Sequence, residues 1–219
     1  MNDIYNFLSG PMVWVAFIIF IGGSLYRLVA MVMLVKQKEP FIFSYMSLKY
    51  GARSIIHWIT PFATENMRKH PGFTVASFAF HICALVTPLF LLSHIVLFDE
   101  TWDINWWSLP DTVADIMTII VIAVCIFFLI RRLYYTHVKF LTSTTDYVIL
   151  AIVATPFITG FLANHQWFGY KFFFLFHIIS GEIMLMSIPF TRLSHMLFAF
   201  LTRSYIGSEF GKVRHARDW

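Results

Sequence analysis

KFFFLFHIISGEIMLMSIPFTRLSH, Lys171 to His195, carries two histidines, His177 and His195, in an apolar run long enough to cross a membrane. They are 18 residues apart. On one uninterrupted helix that is five full turns, so both imidazoles leave the same face about 27 Å apart along the axis. One helix cannot grip a metal at both heights. A second helix with histidines at two matching heights is required, and residues 74–98 (TVASFAFHICALVTPLFLLSHIVLF) offer His81 and His94. Two helices with two histidines each form the minimum constellation for two stacked bis-histidine haems.

Composition sets the solvent. The chain of 219 residues is 58% hydrophobic and 13% charged, with a mean hydropathy of +0.71, too apolar for a soluble domain. It reads as one membrane domain over residues 1–219, all-α, with five segments long enough to span: roughly 11–35, 74–98, 113–130, 147–163 and 172–193. The first is not a signal peptide, because Met1 to Gly10 hold Asp3 and no basic residue.

Lys and Arg accumulate on cytoplasmic loops. Here they fall in residues 36–73 (Lys36, Lys38, Lys49, Arg53, Arg68, Lys69), in 131–145 (Arg131, Arg132, Lys139) and in the tail from Arg192 (Arg203, Lys212, Arg214, Arg217). The opposite side has only Lys171, and its main loop is acidic (Asp99, Glu100, Asp103, Asp111) and rich in tryptophan (Trp102, Trp106, Trp107). The N-terminus is therefore expected outside and the C-terminus inside. The isoelectric point near 9.1 follows from this inner-face charge and does not imply nucleic acid as a partner. The chain is expected to be a multi-pass protein of a bacterial or archaeal cytoplasmic membrane.

The two cysteines, Cys83 and Cys125, lie inside apolar helices and are expected to pack as small hydrophobes. No CxxCH occurs, so any haem is held without covalent attachment. In helix 1, Pro11 is expected in the first turn, and Gly22 and Gly23 let a helix or a flat cofactor approach. Arg27 either snorkels to the cytoplasmic headgroups or pairs with a haem propionate. The inner loop, 36–73, contains an amphipathic piece (YMSLKYGARSIIHWITPF) suited to the membrane surface or a partner; His57 within it reads as an interfacial side chain.

Helix 2 has no charged residue, and its two histidines are costly in lipid unless used. Their spacing of 13 leaves them about 140° apart on an ideal helix. Pro88 between them can change that phase by a kink; without it only one of the two serves as a ligand. Helix 3 carries Asp115 near its outer end. Helix 4 carries Pro156 and Gly160, with Thr144 and Thr145 as N-terminal caps. His165, in the turn that follows, is expected to be solvated. Antiparallel geometry pairs His94 with His177 outside and His81 with His195 inside. Glu182 is about 140° off the histidine face of helix 5 and serves either a helix-packing hydrogen bond or proton handling. Gly181, one turn after His177, clears room for a porphyrin. The tail, 196–219, stays apolar before its basic end and is expected to dock a cytoplasmic subunit.

Four transmembrane histidines on two antiparallel helices can be a metal site, a proton relay or plain packing; a compact metal site is disfavoured by the separation of the two pairs, plain packing by the cost of four imidazoles in lipid. Haem is the favoured reading. Imidazoles on both axial positions leave the iron no open site, which makes electron transfer the function rather than oxygen activation. A haem-free membrane anchor and a small transporter are the readings of other classes; the transporter lacks the internal repeat it would need.

The run Pro189-Phe190-Thr191-Arg192-Leu193-Ser194-His195, with His177 before it, resembles the last helix of the nitrate reductase gamma-subunit-like family of membrane dihaem cytochromes b. Gly23-Ser24 with Arg27, Phe80-His81-Ile82, Arg131-Arg132-Leu133 and Thr144-Thr145-Asp146 extend the resemblance over nearly the whole chain. It implies two haems b on His81, His94, His177 and His195, a quinol or menaquinol site near the outer haem, and electron passage to a cytoplasmic iron–sulfur subunit. The longer histidine spacing in helix 2 and the long inner loop set the chain apart from nitrate reductase itself. It looks closest to the cytochrome b subunits of transmembrane redox complexes in sulfate-reducing bacteria. There a periplasmic multihaem cytochrome c feeds the outer side, which leaves open a wire between two soluble partners with no quinone site of its own. Asp115, His165 and the acids of the tryptophan-rich loop supply the polar groups that a quinone site would use.

Overall fold

The computed structural model describes residues 2–219. In chain order its helices are α1 (Asp3–Lys38), α2 (Ile42–Tyr45), α3 (Leu48–Ile59), α4 (Glu65–Lys69), α5 (Pro71–Phe90), α6 (Leu92–Trp102), α7 (Asp111–Tyr134), α8 (Thr136–Phe140), α9 (Thr144–Asn164), α10 (Tyr170–Ser187) and α11 (His195–Ser208). Among the described residues there is no strand. Five helices are long and apolar enough to cross a membrane: α1, α5, α7, α9, and α10 with its short extension to Phe190. The chain is a multi-pass membrane protein.

Three local departures from the sequence expectations have physical causes. Pro11 lies inside α1 rather than in a first turn, within a π-helical segment, Leu8–Met12; a wider turn tolerates a ring without an N–H. Helix 2 is two helices. Leu91 is extended (φ −75°, ψ 128°) between α5 and α6, three residues after Pro88. Helix 5 also breaks: Pro189 and an extended Thr191 (φ −120°, ψ −173°) separate α10 from α11. His195 therefore opens a new helix instead of closing the one that holds His177, and the five-turn, same-face relation between them does not hold.

The backbone falls into two compact units. The first takes the described residues up to Thr74 together with Glu182–Trp219. There the turn after α10 rests on α1 at Gly23, where a Cβ would come within 2.9 Å of both Pro189 Cγ and Phe190 Cζ. In the same unit α11 lies on the amphipathic α3. Small residues make this possible: a Cβ on Gly207 would stand 2.5 Å from Ser54 Cβ and 2.6 Å from the Tyr50 carbonyl. The last residues cover the joint. Asp218, its side chain only 1% exposed, accepts hydrogen bonds from Ser54 Oγ and from Arg203 Nη2 (2.8 Å). Trp219 stacks on His57 at 4.1 Å, with the Arg53 guanidinium 4.5 Å from its ring. The tail thus has a partner within the chain, and only part of its apolar surface (Met196, Phe200, Leu201 and Val213 among the large side chains) stays exposed.

The second unit is Val75–Gly181. Its core is Cys83, Val121, Cys125 and Phe157, packed with Phe80, Ala84, Met117 and Leu150 from α5, α7 and α9. Both cysteines are free and act as small apolar groups. The start of α9 is fixed by Ser143, not by Thr144 or Thr145: the Asp146 carboxylate accepts from Ser143 N–H (2.8 Å) and Oγ (2.9 Å).

Candidate functional site

The break at Leu91 decides where His94 points. Ending α5 there strips the carbonyls of Pro88, Leu89 and Phe90 of their helical donors, and an orphaned carbonyl in an apolar setting must find another. Each does. Pro88 O accepts from His94 Nδ1 (2.8 Å), Leu89 O from Trp106 Nε1 (2.8 Å) and Phe90 O from Leu109 N–H (2.8 Å). The tryptophan-rich loop is laid against the broken end, with Trp107 on Phe90 (4.4 Å) and Trp106 on Phe98 (5.4 Å).

So placed, His94 faces His177 of α10. Their ring centroids are 5.9 Å apart and the ring planes differ by 16°. His177 is held from its other side by α9: its Nδ1 lies 2.9 Å from Pro156 O, one turn before Gly160. Any side chain at Gly160 would collide, since a Cβ there would lie 2.8 Å from His177 Cε1 and 2.9 Å from Nδ1. Thr159 Oγ1 and Ser180 Oγ, 3.4 Å apart, continue this seam, and Ser180 Oγ donates to His177 O.

A carbonyl can only accept, so in both histidines Nδ1 carries the proton and Nε2 keeps its lone pair. An iron or similar ion bonded to two imidazole nitrogens at about 2 Å each sets the ring centres about 6 Å apart. The observed 5.9 Å is close to that separation, and His94 and His177 are the residues that would hold such an iron. One turn along α10, a Cβ on Gly181 would meet nothing within 4 Å. Among the described residues no group of three or more His, Cys, Asp or Glu is assembled to hold a bare metal ion.

His81 and His195 belong to different units. Each has the same ring orientation device: His81 Nδ1 is 2.7 Å from Ser77 O, and His195 Nδ1 is 2.9 Å from Arg192 O. Both rings are exposed on the protein surface. The Arg27 guanidinium lies 5.7 Å from the Phe198 ring. Glu182 is 5% exposed, and neither of its carboxylate oxygens has a hydrogen-bond partner among the described residues. His165, expected to be solvated, instead lies beside Asp115, with Nε2 to Oδ2 at 3.2 Å.

The chain is 37% identical over 216 residues to a protein of Nitratidesulfovibrio vulgaris (strain Hildenborough), covering 96% of this chain and 95% of that one. It belongs to that protein's family. No family model and no solved structure matches it.

Sequence reasoning had no role for Gly160, the Pro156 carbonyl or Trp106. A glycine inside an apolar helix costs about 1 kcal/mol against alanine and asks for a packing reason; that was the only signal.

Proposed function

We propose that this protein is a dihaem cytochrome b membrane subunit of a respiratory complex. In this reading it carries electrons between quinol or menaquinol at the outer side and a cytoplasmic iron–sulfur partner. The observation that supports it best is the facing pair His94 and His177, with centroids 5.9 Å apart and both Nδ1 atoms committed to backbone carbonyls. Haem b held there supplies one-electron chemistry. The chain's part is to fix both imidazoles, to keep Nε2 unprotonated, and to wall the site with apolar side chains that exclude water.

The second haem b is assigned to His81 and His195 by the antiparallel pairing read from the sequence, with Arg27 as the partner of a haem propionate; Gly181 belongs with His177 at the first haem. The distribution of Lys and Arg places the N-terminus outside and the C-terminus inside. The α3–α11 platform then faces the cytoplasm, where an iron–sulfur subunit would dock, and the tryptophan-rich loop faces a periplasmic multihaem cytochrome c or another membrane subunit.

Haem counting on the purified protein and a reduced-minus-oxidised spectrum test this. Two haems b per chain are expected, with His94→Ala and His177→Ala each losing the same one and keeping the other. A preparation with no b-type band would leave a membrane anchor as the better description.

A further inference from the structure

Asp115 and His165 come from different helices, α7 and the end of α9, and meet at 3.2 Å between Oδ2 and Nε2. Asn164 reaches the other carboxylate oxygen, Nδ2 to Oδ1 at 3.5 Å. Neither contact is tight. The His165 nitrogen is shielded from solvent yet has no well-aligned acceptor, and the second contact is at the outer limit of a hydrogen bond. The two side chains remain 28% and 32% exposed, too exposed for such a pair to add much to stability. Phe161 and Trp167 flank the imidazole, at 4.4 Å and 5.4 Å between ring centroids. His165, the C-cap residue of α9, stands five residues beyond Gly160, so the pair lies about 7–8 Å further along the axis than the glycine that touches His177. A loosely held acid–imidazole pair, walled by aromatic rings, thus sits one to two helical turns from the histidine pair, at the end of α9 that leads out of the apolar span.

From this geometry we infer that Asp115 and His165 are the proton-accepting pair for a membrane quinol oxidised beside the His94–His177 site. The inference rests on the reading of that site given above and extends it. Oxidation of one quinol to quinone releases two electrons and two protons. The electrons would be accepted one at a time by the haem b that His94 and His177 would hold. Each proton is taken by an Asp115 carboxylate oxygen, passed to His165 across the 3.2 Å contact and released to the outer aqueous side. Asn164 positions the carboxylate. The aromatic walls, Phe161 and Trp167, suit the flat quinol ring.

The test compares wild type with Asp115→Asn, His165→Gln and Asp115→Glu in detergent-purified protein. Haem content and the dithionite-reduced spectrum are measured first. Binding of a hydroxyquinoline-type quinol analogue is followed by fluorescence quenching, and haem reduction by a menaquinol analogue by stopped flow. Asp115→Asn and His165→Gln are expected to keep both haems, to bind the analogue at least about tenfold more weakly and to be reduced at least about tenfold more slowly; Asp115→Glu, which retains the acid, recovers part of both. Wild-type binding and reduction in the first two variants would overturn the pair while leaving the quinol reading intact. Loss of the outer haem in either would make the pair part of the haem pocket and also overturn it. If wild type itself neither binds the analogue nor is reduced by the quinol, while reduced cytochrome c does reduce it, the quinol reading fails and takes the pair with it.

Discussion

Gly160 and His177 are coupled by contact, not by sequence proximity. Because a Cβ at position 160 would lie 2.8 Å from the imidazole, Gly160→Val should push the ring off Pro156 O and cost the protein the haem proposed on His94 and His177, with the other retained. Gly160→Ala should show a weaker form of the same defect, a destabilisation of about 1–3 kcal/mol seen as earlier thermal loss of that haem band. Haemochrome counting and thermal melts followed in the Soret region check both. If Gly160→Val binds two haems normally, the ring's proximity to α9 is irrelevant to ligation. None of this was legible in the sequence: Gly160 and His177 are 17 positions apart, on different helices, and no local pattern links a glycine to a distant ring.

At the scale of elements, the break at Leu91 ends the single-helix relation between His81 and His94 and brings His94 to face His177. Thirteen residues on an ideal helix would leave His81 and His94 about 140° apart; at the break three freed carbonyls are taken by His94, Trp106 and Leu109. Trp106→Phe deletes one of those donors and keeps the aromatic packing. It should destabilise this end by about 1–3 kcal/mol, the cost of an unsatisfied carbonyl, with accelerated amide exchange in residues 89–95 as the signature. An unchanged exchange pattern would mean that water replaces the indole at no cost. Near the C-terminus, Tyr205 and Arg214 hold Glu209 in its ionised form, so that its carboxyl titrates below the usual range, chiefly through the Tyr205 hydrogen bond. A folded-state value depressed in this way gives stabilisation that is present above the unfolded-state value and lost as pH falls through the folded one. The segment 205–214 should therefore loosen in acid and not in mild base. Amide exchange across an acid series reads this directly, and Glu209→Gln should abolish the dependence.

For the whole molecule, the joint between α3 and α11 is where sequence-distant parts of the first unit are tied together. Asp218 bonds both helices, through Ser54 and Arg203, and Gly207 lets them touch. Gly207→Leu should separate the two helices and destroy the platform on which a cytoplasmic partner is proposed to dock, without changing the haem proposed on His94 and His177, residues of the other unit. Co-purification of the soluble subunit, set against haem content, measures this. Retention of the partner by the Gly207→Leu variant would place the docking surface elsewhere. The tail's apolar character, read from the sequence as a surface awaiting another protein, is partly spent inside the chain.

The sequence by itself determined that this is a helical protein with five spans, because length and hydropathy are local properties and lipid leaves a backbone few other solutions. It also singled out four histidines, since an imidazole in an apolar run is expensive wherever it lies. The pairing of His94 with His177 was an expectation of antiparallel geometry; where spans 2 and 5 break, and why His165 meets Asp115, were decided only by the tertiary structure. A proline announces that a helix can break but not where the chain turns; that depends on donors such as Trp106 and Leu109, which come from another segment and are close only once the chain has folded.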